Sequence, residues 1–200
     1  ERSEAGYRQA YVEGLGNLLN VIQADRLLFV SSTAVYGQEA GEWVDERSPT
    51  EPSAFNGRIL LEAEALARSA GGSAVRFSGI YGPGRERMLD LARSGPVSCR
   101  RTPPVWTNRI HADDCAAVLE HLLHLDRIES VYAASDQCPA PRWEVLQWLA
   151  ERLDAPAPVD DPDAGGGQGK RVFPARLLAS GLALQYPDYT RGYAAMLSDQ

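Results

Sequence analysis

The sequence predicts an α/β protein with a parallel sheet, and three observations carry that prediction. The short apolar run Leu27 to Val30 reads as the start of a buried strand over 27–31, and 74–80 and 131–134 read as two further strands. Between them lie segments with apolar residues at spacings of three and four, which read as helices. The two kinds alternate along the chain, and strands alternating with helices imply a parallel sheet. At 200 residues, a single domain over 1–200 is the default, with enough chain to bury a real core.

Residues 4–23 place Tyr7, Tyr11, Leu15, Leu18, Leu19 and Ile22 on one helical face. Glu1 opens almost directly onto this helix, so an earlier part of the fold is expected upstream. The stretch LLFVSSTAVYG at 27–37 follows. Its apolar run ends in Ser31, Ser32 and Thr33, so a buried strand opens at its C-terminal end onto hydroxyl groups. In open α/β sheets ligands bind at that end. A loop rich in turn formers runs through Gly37, Gly41, Asp45, Pro49 and Pro52. Residues 57–70 are strongly helical, Gly71 and Gly72 stop them, and Ala74 to Ile80 is the next strand. The segment GIYGPGRE at 79–86 is a Gly/Pro turn feeding a short helix around 86–94. Residues 112–125 form a helix whose Asp113 and Asp114 suit the positive end of its dipole. A strand at 131–134, a helix at 143–153, a flexible loop at 154–169 and a helix near 190–197 complete the order.

The formal net charge of −7 argues against a nucleic-acid or anionic-membrane surface, since both need clustered cations. It also disfavours a highly anionic ligand unless arginines are focused locally. No apolar run approaches the ~20 residues that span a bilayer, and the polar start does not resemble a signal peptide. Cys99, Cys115 and Cys138 are far apart and odd in number, which fits a reducing cytoplasm rather than a disulfide framework. With His111, His121 and His124 they make no zinc spacing, so no metal is expected, and His121 and His124 fall on a helix surface. Two glycine patterns are set aside. Gly14-x-Gly16 lies inside a helix pattern with no strand before it. The P-loop-like AGGGQGKR at 164–171 has Ala164 for its first glycine and Arg171 where a hydroxyl should hold magnesium.

Five segments in order carry a resemblance. They are SSTAVYG at 31–37, DERSPTEP at 45–52, the helix ending in Glu64, VRFSGIYGPGR at 75–85 and NRIHADDCA at 108–116. Together they resemble the extended short-chain dehydrogenase/reductase superfamily, more narrowly the bacterial NAD-dependent epimerase/dehydratase-like oxidoreductases. The tail at 170–193 is similar to that subgroup as well. The resemblance implies a Rossmann-type doubly wound parallel sheet with a small C-terminal substrate lobe, drawn from segments near 84–110 and 140–200. It implies NAD or NADP as cofactor, with the Gly-rich phosphate cradle in a βαβ region upstream of Glu1 that this sequence does not contain. It also implies a homodimer through helices 4–23 and 57–70.

By similarity, Ser32 matches the hydroxyl that hydrogen-bonds the reacting substrate oxygen, a role suited to a group that both donates and accepts. The alternative is a serine capping a strand end. Ser31, Ser32 and Thr33 would flank the nicotinamide. The superfamily's general acid/base is a Tyr whose pKa is lowered by a Lys four residues on. Aligned on Glu64, those positions hold Asn56 and Leu60; shifted to Glu62, they hold Ala54 and Arg58. Neither register restores the pair, which puts ordinary ketone reduction or sugar epimerisation in doubt. His111 titrates in the right range and Tyr36 carries a phenol, so both are candidate catalytic groups. The plain alternatives are that Tyr36 packs and that His111 and Asp114 tie the lobe to the sheet. Tyr81, Arg85, Asn108 and Arg109 would bind substrate, Arg109 being able to grip an anion bidentately. Gly79 stands where sugar-nucleotide enzymes of the family carry Asn, which weakens a nucleotide-sugar substrate specifically.

Two functions compete. One is a cytoplasmic NAD(P)-dependent oxidoreductase or epimerase/dehydratase-like enzyme of atypical mechanism, acting on a small polar, sugar-related substrate. The other is a non-catalytic dinucleotide-binding sensor or regulatory protein on the same fold.

Overall fold

The computed structural model describes residues 3–198. The chain opens with a continuous helical rod: α1 (Glu4–Tyr7), a wider π-type stretch (Arg8–Glu13) and α2 (Gly14–Leu19). The expected helix over 4–23 therefore ends early. Gly14, Gly16 and Asn20 are weak helix formers, and Val21 beyond them lies exposed.

Three parallel strands make the central sheet: β1 (Leu28–Ser32), β2 (Ala40–Val44) lying outside it, β3 (Ser73–Phe77), and farther along β8 (Val131–Ala134), in the order β1-β3-β8. Val30 pairs with Val75, which pairs in turn with Tyr132. The helix α3 (Phe55–Ser69) connects β1 to β3. On its side of the sheet Phe29, Leu60, Ala63, Ala67, Ala74 and Ala133 share one apolar cluster. Val75, Phe77, Tyr132 and Ala134 point to a second cluster, with Val118 and Leu122 of the later helix α5 (Ala112–His124). Strand β3 is buried at every position because alternate side chains feed the two clusters. The sheet is thus covered on both faces, as the doubly wound reading requires. At its edge, Val30 of β1 stays 48% exposed. The other edge is sealed: Glu46 accepts the Ala133 N–H at 3.1 Å and the Arg176 guanidinium donates to the Val131 carbonyl at 2.8 Å.

The strand expected over 74–80 breaks in two. Ser78 N–H still bonds the Ala134 carbonyl, but Gly79 N–H turns to the Asn108 carbonyl. So β4 (Gly79–Tyr81) leaves the sheet and pairs instead, in parallel, with β7 (Arg109–His111). Between them come α4 (Arg87–Arg93), β5 (Ser98–Cys99) and β6 (Trp106–Thr107). After the sheet come β9 (Ala140–Pro141), α6 (Arg142–Arg152), β10 (Val159–Asp160), β11 (Gly169–Val172), α7 (Ala175–Ala179) and α8 (Tyr189–Ser198). Strand β2 lies in the expected loop at 37–52 and pairs in parallel with β11; β10, within the expected loop at 154–169, pairs with β5. A third apolar cluster joins α4, α6 and α8 through Leu89, Val145, Leu149, Tyr193 and Met196.

Gly57 sets how closely α3 meets the end of β1. A Cβ there would lie 2.6 Å from the Ala34 carbonyl oxygen and 2.5 Å from Pro52 Cβ. Gly57→Ala gains about 1 kcal/mol of helix propensity, but the overlap costs about 1–3 kcal/mol. The overlap involves backbone and a proline ring, so it wins, and urea denaturation should give a lower midpoint. A midpoint equal to or above the parent's would contradict this close approach.

Candidate functional site

Period-two alternation divides the hydroxyls at the end of β1. Ser31 faces α3 and is buried, whereas Ser32 and Thr33 keep accessible surface. The Ser31 hydroxyl donates to Glu64 Oε1 at 2.7 Å. Glu64 is fully buried on α3 and is gripped by Arg76 of β3, with Nε to Oε1 at 2.9 Å and Nη2 to Oε2 at 2.7 Å. Arg68, one helical turn on, adds a contact at 3.1 Å. The remaining arm of Arg76 donates to the Tyr36 hydroxyl at 3.1 Å. Burial raises the Tyr36 phenol above its ordinary pKa, and the nearby Arg76 charge offsets only part of that. Ser31 and Tyr36 are therefore engaged in a buried polar network rather than facing the open end of the strand.

Ser32 Oγ accepts the Ala34 N–H at 3.2 Å and so caps the 3-10 turn Thr33–Val35. Asn56 sits half-buried in the first turn of α3, and Leu60 is buried in the core beneath the turn. Sequence reasoning missed Lys170. Its ammonium donates to the Tyr36 carbonyl at 2.6 Å, and burial lowers its pKa. It belongs to the glycine-rich pattern that spacing had set aside. Its strand returns to the turn after Ser32.

The four residues expected to bind substrate come together. Tyr81, Arg85, Asn108 and Arg109 line one cavity of about 390 Å³, joined by Arg87 and Arg142. Asn108 anchors the wall: its amide donates to the Lys170 carbonyl at 2.8 Å and its Oδ1 accepts the Val172 N–H at 2.7 Å. The same β11 segment thereby connects the cavity to the turn after Ser32. Arg109 is 6% exposed; Nη2 donates to Thr107 Oγ1, the guanidinium lies 5.3 Å from the Tyr189 ring centre, and Nη1 has no hydrogen-bond partner. Tyr81 packs 4.6 Å from Tyr193 and 5.2 Å from His111, ring centre to ring centre. Burial holds the Tyr81 phenol far above its usual range and pushes Tyr193 up to about 12.

His111 is buried beside this cavity. Its Nδ1 accepts the Asp113 N–H at 3.3 Å, capping α5, and its ring lies 4.1 Å from that of Tyr186. Asp114 accepts the N–H groups of Gln185 and Tyr186 at 2.8 and 2.9 Å, tying α5 to the segment before α8. Asp136 was not singled out by the sequence. It follows β8 at the C-terminal end of the sheet, its backbone N–H bonds the Arg109 carbonyl at 2.7 Å, and its Oδ2 has no partner. Burial raises its carboxyl to about 7, with Arg109 opposing the rise. No group of three or more His, Cys, Asp or Glu side chains able to hold a metal occurs among the described residues.

Asp136 makes stability depend on pH with a defined sign. Its folded pKa of about 7 lies above the ordinary 3.8, so between those values the folded state binds more protons than the unfolded state. Its contribution is present below the lower value and is lost as pH rises through the upper one. Asp136→Asn should flatten the fall in denaturation midpoint between pH 5 and pH 8. An unchanged pH profile would show that the carboxyl titrates normally.

No family model matches the chain. A solved structure from Methylobacillus flagellatus, named as an NAD-dependent epimerase/dehydratase, is 40% identical with a TM-score of 0.81, and the match covers 98% of this chain and 72% of that one. A conserved protein of unknown function from Silicibacter pomeroyi is 31% identical at TM-score 0.81, covering 94% of this chain and 72% of that one. RMD from Pseudomonas aeruginosa, solved with NADPH, shares the fold at TM-score 0.84 and 22% identity, over 99% of this chain and 74% of that one. Protein YeeZ of Escherichia coli is 28% identical over 170 residues, 82% of this chain, so the chain spans 59% of the length of that curated relative. The chain belongs to the extended short-chain dehydrogenase/reductase superfamily, in its NAD-dependent epimerase/dehydratase-like group.

Proposed function

We propose that the protein is an NAD(P)-dependent oxidoreductase or epimerase/dehydratase-like enzyme of atypical mechanism, acting on a small polar, sugar-related substrate in the cytoplasm. The observation that carries this reading is the cavity lined by Tyr81, Arg85, Asn108 and Arg109, connected through Asn108 and Lys170 to the turn that begins at Ser32. Solved relatives of this fold hold NAD or NADPH. In this chain Ser32 and Thr33 have the accessible surface to flank a nicotinamide, whereas the Ser31 hydroxyl is engaged by Glu64. The cofactor would supply hydride transfer.

In this reading Ser32 orients and polarises the substrate oxygen, and the proton moves through a group other than a Tyr-x-x-x-Lys pair. His111 and Tyr36 are the titratable candidates. His111 adjoins Tyr81 at the cavity, whereas burial raises the Tyr36 phenol above its ordinary pKa despite the opposing charge of Arg76, and its hydroxyl is taken up by that guanidinium. The lobe that closes over substrate comprises segments near 84–110 and 140–200, with the α4, α6 and α8 cluster as its core. A homodimer through α1, α2 and α3 belongs to the same reading, supported by the exposed Leu18 and Ile22 beside that rod; sedimentation as a strict monomer removes it.

The competing reading is a dinucleotide-binding sensor without turnover, favoured by Leu60, which is buried in the core and brings no charge to the turn. Ser32→Ala in the full-length protein separates the two. An enzyme should lose about 10²–10⁴-fold in kcat while the cofactor still binds saturably. Cofactor binding with no turnover across a panel of carbonyls and alcohols establishes the sensor instead.

A further inference from the structure

We propose that residues 185–188 and α8 form a latch on the end of the sheet, closed while the Asp136 carboxyl is neutral and loosened when it ionises. Three buried polar atoms on three segments carry the inference. Tyr81 Oη on β4, Arg109 Nη1 on β7 and Asp136 Oδ2 just after β8 have no hydrogen-bond partner among the described residues. They nevertheless act on one another. Burial and then the Asp136 charge raise the Tyr81 phenol, while Arg109 opposes the rise in both Tyr81 and Asp136. Arg109 and Asp136 still make no ion pair among the described residues. The guanidinium turns instead to Thr107 Oγ1 and the Tyr189 ring.

The latch covers this cluster. Gly192 of α8 lies so close to Tyr81 that a Cβ would overlap its hydroxyl, and Tyr193 packs on the same ring. The Gln137 N–H donates to the Pro187 carbonyl at 3.1 Å, and Asp114 on α5 accepts the N–H groups of Gln185 and Tyr186. Asp136 is fully buried, and its carboxyl accepts one hydrogen bond, from the Cys138 N–H at 3.3 Å. A neutral acid is tolerable there, whereas a buried charge neither paired nor fully hydrogen-bonded is costly. Arg109 offsets part of that cost, but Asp188 and Asp114 repel the carboxylate, and Asp188 has its own cation in Arg191. Among the other titratable groups, burial raises the Tyr81 and Tyr193 phenols and the Cys138 thiol, and His111 lies against the Tyr186 ring. Local opening returns the carboxylate to water at less cost than unfolding the domain.

Burial sets the sign. In the closed form the carboxyl titrates at about 7, against the ordinary 3.8. Closure is strongest below the lower value, weakens by about tenfold per pH unit between the two, and levels off above the upper one. Tyr193 also lines the cavity of Tyr81 and Asn108, so the loosening reaches the cavity wall.

Residue-resolved amide hydrogen exchange of the full-length protein from pH 5 to pH 8, corrected for the intrinsic exchange rate, tests this without any turnover. The Gln137, Gln185 and Tyr186 amides should be less protected than those of β3 and β8 and should lose about tenfold in protection per pH unit up to about pH 7. Asp136→Asn keeps the shape and the neutral charge, so these amides should hold their low-pH protection across the range. Junction amides as protected as the sheet at every pH, or protection independent of pH in the parent, overturns the proposal whether or not the variant folds. A pH dependence that persists in Asp136→Asn, as titration of His111 would produce, overturns it as well.

Discussion

The fully buried Glu64–Arg76 pair is the constraint on which the rest of the arrangement depends. Removing two charges from water costs several kcal/mol each, on the order of what a small domain has to spare. The pair is tolerable here because its geometry is bidentate and its remaining valences are filled by Ser31, Arg68 and Tyr36. Those five residues come from β1, α3, β3 and the turn after β1. The network therefore fixes the approach of α3 to the sheet and, through Tyr36, the path of the turn that presents Ser32. Lys170 then ties β11 to that turn, and Asn108 ties β11 to the arginine-lined cavity. One buried ion pair positions the strand-end hydroxyls, and two further hydrogen-bonded links carry that order to the cavity wall.

Much of this was legible in the sequence because it is local. The three sheet strands, α3, α5 and α6 follow from apolar periodicity and glycine stops, and their ends agree within a few residues. What periodicity cannot encode is partner choice. Residues 74–80 read as one strand, yet at Gly79 the backbone changes hydrogen-bond partner and the stretch becomes two strands. The β2–β11 pair joins Ala40–Val44, inside an expected loop, to Gly169–Val172, which begins where another expected loop ends, far apart in the chain. Short strands flanked by glycine carry no local signal strong enough to name a distant partner.

The site divides the same way. Tyr81, Arg85, Asn108 and Arg109 were marked by motif order, and they line one cavity. Ser31 and Ser32 were marked together, but alternation sends their side chains to opposite faces, one into the ion-pair network and one to the open strand end. Lys170 and Asp136 gave no usable signal. The first reaches the turn only through a long-range strand pair, and the second is distinguished by burial rather than by its neighbours in sequence. Net charge pointed away from an anionic ligand, whereas the fold gathers four arginines around one cavity, a local field that composition averages away.

The central claim is that the buried pair fixes the Ser32 turn rather than merely contributing to stability. Amide hydrogen exchange in the double variant Glu64→Leu with Arg76→Met separates the two, since replacing both charges by apolar groups can leave stability nearly unchanged. The account predicts that the Ala34 and Tyr36 amides, which close the turn onto Ser32 Oγ and the Thr33 carbonyl, exchange about tenfold faster or more, while β3 and β8 amides keep their protection. Turn amides as protected as in the parent would contradict it.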